Sequence, residues 1–158
     1  MSANTEVVRA DASAVLAACR NRASGQAIAF ENASEALLAY AGAFAAKDLD
    51  FIEDAVHANA LIELPMLKPN RLSGIAEISA GHAEAFRNLA GASFSLGKPV
   101  EKHNVAIAEG VLTIDRSNGK QEVHPLGIVA ATEHGKIQRV TLYFDARHFR
   151  RWSDKTIV

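Results

Sequence analysis

One cysteine, Cys19, stands in a chain of 158 residues. No intramolecular disulfide can form from it, and cysteine-based metal motifs are excluded. Charge of a single sign is missing as well. Seventeen Lys and Arg against 18 Asp and Glu leave a formal net charge of −1, which argues against a large nucleic-acid footprint. The one basic cluster, "RHFRR" from Arg147 to Arg151 beside Trp152, reads as a solvated C-terminal turn. Long hydrophobic runs are absent too. Near the N-terminus the longest apolar stretch, "AVLAAC", follows no charged n-region and is too short for a signal peptide or a membrane span. The cytoplasm is therefore the expected compartment, with neither a membrane nor a nucleic acid as partner. The sequence contains no glycine-rich phosphate loop, no Gly-x-Ser-x-Gly, and no His-x-x-x-His or Glu-x-x-His spacing. No cofactor and no metal are expected.

What is present fits one domain with a real core. Hydrophobic residues make up 49% and charged residues 22%, the balance of an ordinary globular chain. Residues 1–32 read as an N-terminal helical extension, since "DASAVLAACRNRAS" has an N-cap in Asp11 but is too short to hold a core alone. Such an arm docks on the body or a partner, or covers a pocket. The domain proper is expected over 33–158. "ASEALLAYAGAFAAKD" sets Leu37, Tyr40 and Phe44 on one helical stripe. "DLDFIEDAV" restarts a short helix, with Asp50 as N-cap and Glu53 three residues on. "ANALIEL" reads as a strand and "KPNRLSG" as a turn. Ser73 then caps a helix whose stripe is Ile75, Ile78, His82, Phe86 and Leu89.

After Gly91 four strands are expected: "SFSLGKPVEKH", "NVAIAEGVLTIDR", "KQEVHPLGIVAAT" and "KIQRVTLYFDARHF". "SNGK" and "EHGK" supply two-residue hairpin turns. Helices followed by a meandering antiparallel sheet make an α+β fold. With Asn118-Gly119 as one loop, Thr113 opposes His124 and Leu112 opposes Pro125. With His134-Gly135 as the other, Gly127 opposes Leu142 and His124 opposes Asp145. Alternation then separates an apolar face (Leu112, Ile114, Val123, Pro125, Gly127, Val129, Val140, Leu142, Phe144) from an amphipathic one. The second face bears His124, Arg139, Tyr143 and Asp145, with Val111, Leu126 and Ile128 among them. It has the mixed character of a homodimer interface.

"AYAGAFAAKDLDFIEDAVHANALIELP", followed by a turn, "SG" and a helix, resembles the opening of the nuclear transport factor 2-like superfamily. That group includes ketosteroid isomerases, SnoaL-like polyketide cyclases and limonene epoxide hydrolases. The closing "HGKIQRVTLYFDARHF" is similar to the epoxide hydrolases, and the resemblance spans about Ala33 to Phe149. It implies a cone-shaped curved sheet wrapped on helices, an apolar pocket inside the cone, and a dimer through the sheet. The known catalytic residues do not all carry over. Tyr40 matches the isomerase's oxyanion-hole tyrosine, but its general-base aspartate is replaced by Leu64 and its second acid falls near Gly127. The epoxide hydrolase triad falls near Gly110, Leu112 and Leu142.

If Leu64 faces inward, so do Ile62 and Ala60, and Glu63 points out. The candidate polar groups are then Tyr40 and His82, each either a satisfied core residue or half of a pocket pair. As a pair, His82 would serve as general base and Tyr40 as hydrogen-bond donor. Ile62, Leu64, Phe86, Leu112, Gly127, Leu142 and Phe144 are the expected ligand-binding wall. Two functions stay open. One is an isomerase, cyclase or dehydratase acting on a small hydrophobic polyketide, terpenoid or steroid-like molecule. The other is a non-catalytic ligand-binding or protein-interaction module.

Overall fold

The structure, a computed structural model, describes Val7–Arg9 and residues 27–144. Helix α1 (Ala33–Ala45) begins at Asn32, whose side chain accepts the Glu35 N–H at 2.8 Å. It buries Leu37, Tyr40 and Phe44 against the sheet, and the small Ala36, Ala39 and Ala43 let the backbone come close. It ends where Lys47 turns left-handed (φ 54°) and the Asp48 N–H reaches back to the Ala43 carbonyl at 2.9 Å. Helix α2 (Leu49–Ala55) is capped by Asp48, which accepts the Phe51 N–H at 3.0 Å. The expected cap, Asp50, lies in its first turn instead. Helix α3 (Gly74–Asn88) starts after Ser73, whose N–H donates to the Glu77 carboxylate while its own side chain makes no cap bond. It buries Ile78, His82 and Ala85, whereas Ile75 stays 39% exposed and leaves the expected stripe.

The strands are β1 (Val7–Arg9), β2 (Val56–Glu63), β3 (Arg71–Ser73), β4 (Gly91–Gly97), β5 (Val100–Lys102), β6 (Val105–Asp115), β7 (Gln121–Glu133) and β8 (Lys136–Phe144). They form one mixed sheet in the order β1-β4-β6-β7-β8-β2-β3, with β5 also paired to β6. Only β2 and β8 run parallel among the described pairings. The result is the α+β cone: a curved, unclosed sheet wrapped on helices. The single strand expected over "SFSLGKPVEKH" is two, β4 and β5, because Pro99 lies between them and cannot donate to the ladder. His103 and Asn104, both at positive φ, make the tight turn from β5 to β6. The core also starts earlier than the boundary expected at Asn32. Ile28 and Phe30 are buried, and β1 adds to β4 from within the N-terminal extension. The helix expected from Asp11 lies outside the described residues. No described helix is long and apolar enough to cross a membrane.

The register of β7 differs from the sequence expectation by one residue on both sides. At the β6–β7 turn, Arg116 and Lys120 still hydrogen-bond, and Gly119 is left-handed (φ 80°). The loop is therefore three residues, Ser117–Gly119, and Leu112 opposes His124 rather than Pro125. At the β7–β8 turn, His134 and Gly135 form the expected two-residue loop, but a bulge at Gln138 then shifts the pairing, so that Ile128 opposes Leu142. The two shifts cancel between β6 and β8, whose faces stand as expected. On β7 they exchange the faces. His124, Leu126, Ile128 and Ala130 are buried against the helices, while Val123, Pro125, Gly127 and Val129 point outward. Of the residues expected on the dimer face, Arg139 and Tyr143 face outward, His124 faces inward, and Asp145 lies outside the described residues.

Gly110 shows how tightly β4 and β6 meet. A Cβ there would sit 2.0 Å from the Ser95 carbonyl oxygen and 2.8 Å from the Leu96 Cα. The clash is with backbone, so no rotamer relieves it. At Gly127 a Cβ would meet nothing within 4 Å. Gly110→Ala is accordingly expected to lower stability in urea denaturation by about 1–3 kcal/mol, and Gly127→Ala to change it by no more than about 0.5 kcal/mol. Equal stabilities for the two variants would contradict this packing.

Candidate functional site

Two helices bring Tyr40 and His82 together. Tyr40 sits mid-way along α1, one turn from Leu37 and one from Phe44, so the stripe that buries those two buries its ring as well. His82 is at the matching place on α3. The Tyr40 hydroxyl and His82 Nε2 are 2.7 Å apart, and both residues are buried, at 1% and 0% exposure. The other ring nitrogen, Nδ1, lies 2.7 Å from the Ile78 carbonyl one turn earlier. A carbonyl only accepts, so Nδ1 carries the proton of the neutral ring. Nε2 is then the acceptor, and the Tyr40 hydroxyl donates to it.

Around this pair the rings of Phe44 and Phe86 meet the His82 ring edge-on, at centroid distances of 6.0 and 5.9 Å. Phe94 closes the cluster, 5.7 Å from Phe44. Burial among them lowers the His82 pKa to about 4, against the raising effect of its bond to Ile78. The same burial raises that of Tyr40. At neutral pH both groups are uncharged.

A second polar cluster lies on the concave face at the β6–β7 hairpin. Arg116 donates to both oxygens of Glu122, at 3.2 and 3.1 Å, and His124 Nε2 is 3.2 Å from the same carboxylate. Burial tends to raise the Glu122 pKa, but the bonds from Arg116 and His124 prevail and hold it low. The His124 ring packs against Phe144 at 6.4 Å. This cluster was not expected, because the two-residue loop sends His124 to the outer face. The signal for it in the sequence is the spacing of Arg116, Glu122 and His124 by even numbers of residues, which a three-residue loop places on one face, Glu122 opposite Ile114 and His124 opposite Leu112.

Most of the remaining expected residues gather on the concave side. Ile62, Leu64, Leu112, Leu142 and Phe144 are buried there, and Phe86, half-buried, packs against them from α3. Gly127 does not join them, since it faces outward. Its inward neighbours Leu126 and Ile128 are apolar, so no acid fills that slot on either face. Gly110 has no room for any side chain, and Leu64, Leu112 and Leu142 are buried and apolar at positions that the sequence resemblance matched to catalytic residues. Glu63 faces away, accepting from the Thr141 hydroxyl at 3.2 Å with Arg139 at 3.8 Å. Among the described residues no three His, Cys, Asp or Glu side chains converge to hold a metal ion.

The SnoaL-like domain profile matches residues 37–140, most of the chain. The chain belongs to the SnoaL-like family. Its fold is that of the nuclear transport factor 2-like superfamily. Solved structures with this fold include TerC co-crystallised with polyporic acid, at 19% identity and a TM-score of 0.62 over 72% of this chain and 92% of that one. A putative polyketide cyclase from Pseudomonas putida KT2440 is 24% identical, with a TM-score of 0.58 over 72% and 92%. An M. tuberculosis epoxide hydrolase of the limonene type is 16% identical, with a TM-score of 0.63 over 72% and 83%. At these identities the likeness is one of fold. No curated protein matches the sequence significantly.

The neutral state of His82 has a consequence for stability. Its folded pKa of about 4 lies below the ordinary 6.5, so the unfolded chain takes up a proton first as pH falls. Stability is full above about pH 6.5 and declines towards pH 4 by about 3 kcal/mol from this residue alone. His82→Phe should remove that part of the slope in urea titrations run across this window. Identical slopes for the two proteins would show that His82 is not neutral in the fold.

Proposed function

We propose that this SnoaL-like chain binds a small, uncharged hydrophobic molecule bearing a hydroxyl group, between α1, α3 and the concave face of the sheet. The observation that carries this reading is the proton order of the Tyr40–His82 pair. Ile78 fixes the His82 tautomer, His82 takes the Tyr40 proton, and the phenolic oxygen is left with lone-pair capacity. Such a group accepts from an alcohol, phenol or enol. It has no proton to offer a ketone without breaking the bond to His82. The side chains around the pair are apolar and aromatic, the chemistry that suits a hydrophobic ligand, and neither dyad member is charged at neutral pH, so an anionic ligand gains no partner from the pair. Phe86, half-buried, meets the His82 ring edge-on at the rim of this cluster. Polyketides and terpenoids with hydroxyl groups have the right chemistry. TerC, which shares this fold, was co-crystallised with a small organic molecule, polyporic acid.

A catalytic reading uses the same two residues. Tyr40 would pass a substrate proton to His82 Nε2, and isomerisation, cyclisation or dehydration would follow. The 2.7 Å contact favours it. The low proton affinity of His82 counts against it, because a base with a pKa near 4 is weak at neutral pH. Binding is therefore the primary reading.

Calorimetric titration with pairs of compounds differing only in a free hydroxyl or its methyl ether tests it. The free hydroxyl should bind more tightly. Tyr40→Phe should cost roughly two- to tenfold in affinity for the hydroxyl compound, the worth of one neutral hydrogen bond, and nothing for the ether. Equal affinities across each pair, in both proteins, would overturn the reading.

A further inference from the structure

The turn from β6 to β7 is Ser117–Asn118–Gly119, and all three residues are exposed. Asn118 is the only asparagine of the chain that precedes a glycine. The other described asparagines precede Ala33, Ala60, Arg71, Leu89 and Val105, whose side chains crowd the backbone nitrogen next to the asparagine. Gly119 has no side chain, stands at φ 80°, and has open space where a Cβ would be. The Asn118 side chain is turned towards that open peptide. Its Oδ1 accepts the Lys120 N–H at 3.0 Å, an Asx turn that folds the amide forward along its own backbone. The same hydrogen bond draws electrons from the side-chain carbonyl and makes its carbon, Cγ, more open to attack.

We propose that Asn118 is a site of spontaneous covalent modification, which converts it to aspartate and isoaspartate and lengthens the turn that sets the register of β7. The Gly119 nitrogen attacks Cγ of Asn118. A nitrogen–carbon bond forms, the bond from Cγ to the amide nitrogen breaks, and the Gly119 proton leaves with the departing ammonia. The product is a five-membered succinimide ring, which water opens at either carbonyl. Opening at Cγ leaves aspartate in an unchanged backbone. Opening at the main-chain carbonyl leaves isoaspartate, in which the backbone runs through Cβ and Cγ and is one carbon longer. The Gly119 N–H donates to the Arg116 carbonyl at 3.0 Å, so this bond opens before the nitrogen reacts. It lies in a solvent-exposed turn, where local opening costs least.

An added backbone carbon matters at this turn because its length decides the pairing. The loop is closed by two bonds, from the Arg116 N–H to the Lys120 carbonyl at 2.8 Å and from the Gly119 N–H to the Arg116 carbonyl. Beyond it Asp115 pairs with Gln121, Ile114 with Glu122 and Leu112 with His124. A longer loop no longer fits both closing bonds, and the pairs nearest the turn loosen first. The bonds of Arg116 to Glu122 lie at that end of the hairpin. Isoaspartate therefore acts on the residues that hold His124 on the concave face, whereas aspartate alone leaves the spacing intact. Nothing in this proposal depends on the ligand reading of the Tyr40–His82 pair.

The test is to hold the folded full chain warm in mildly alkaline buffer and sample it over weeks. Peptide mass spectrometry should find the amide-to-acid mass gain at Asn118 well before any other described asparagine. Enzymatic methylation of the free α-carboxyl should show isoaspartate there. Asn118→Ser keeps an oxygen for the Lys120 N–H but cannot close the ring, and should stay a single species. The aged acidic fraction, separated by ion exchange, is then compared with freshly prepared Asn118→Asp, which has the same charge and a normal backbone. The aged fraction should melt roughly 2–4 °C lower, as expected for one lost hydrogen bond in a chain of this size. Its amide exchange across Ile114–Glu122 should be several-fold faster, while that at the far turn, Glu133–Lys136, should match. An Asn118 that survives as long as the other asparagines would overturn the proposal. An aged fraction that melts and exchanges like Asn118→Asp would overturn the link to the register of β7.

Discussion

Strand β7 hydrogen-bonds to β6 on one side and to β8 on the other, and its register against both decides which of its side chains reach the core. Two small features hold it in place. Gly119 adopts the left-handed conformation that completes a three-residue loop, and Gln138 is the extra residue of a bulge in β8. Because the side-chain period of a strand is two, losing either feature would turn His124, Leu126 and Ile128 towards solvent and bring Val123, Pro125 and Gly127 into the core. The inner polar cluster and the open space over Gly127 both follow from this one register. Arg116, Glu122 and His124 can meet only if His124 faces inward. The space over Gly127 exists only because Gly127 faces outward.

Inside the cone the Tyr40–His82 hydrogen bond joins α1 to α3 across an aromatic cluster. Two polar groups buried this deeply are tolerated because each satisfies the other and Ile78 satisfies the third position. The arrangement determines the pair's chemistry. Burial keeps both groups neutral, and the helical carbonyl selects the tautomer, so the order of donors and acceptors is fixed by the fold itself.

The fold is shared with a putative polyketide cyclase and an epoxide hydrolase, yet the positions that the sequence resemblance matched to catalytic residues are filled here by Leu64, Leu112 and Leu142, and at Gly110 the packing of β4 on β6 admits no side chain. These are the contacts of a well-packed core. In this fold the same slots serve either chemistry or packing, and in this chain packing has taken them.

From the sequence alone came the class of the fold, the burial of Leu37, Tyr40 and Phe44 on one helical stripe, the burial of Ile78 and His82 on another, and the outward direction of Glu63. All of these depend on local periodicity, which the sequence carries directly. The approach of Tyr40 to His82 was legible only as a possibility, since two stripes forty residues apart meet through the packing of both helices on the sheet. The face of β7, the Arg116–Glu122–His124 cluster, the cap at Asp48 and the open space over Gly127 were decided by the tertiary structure. Each depends on a turn length, a bulge or a cap in which one residue more or less reverses the outcome. Side-chain pattern does not encode that count; backbone geometry and the packing around it do.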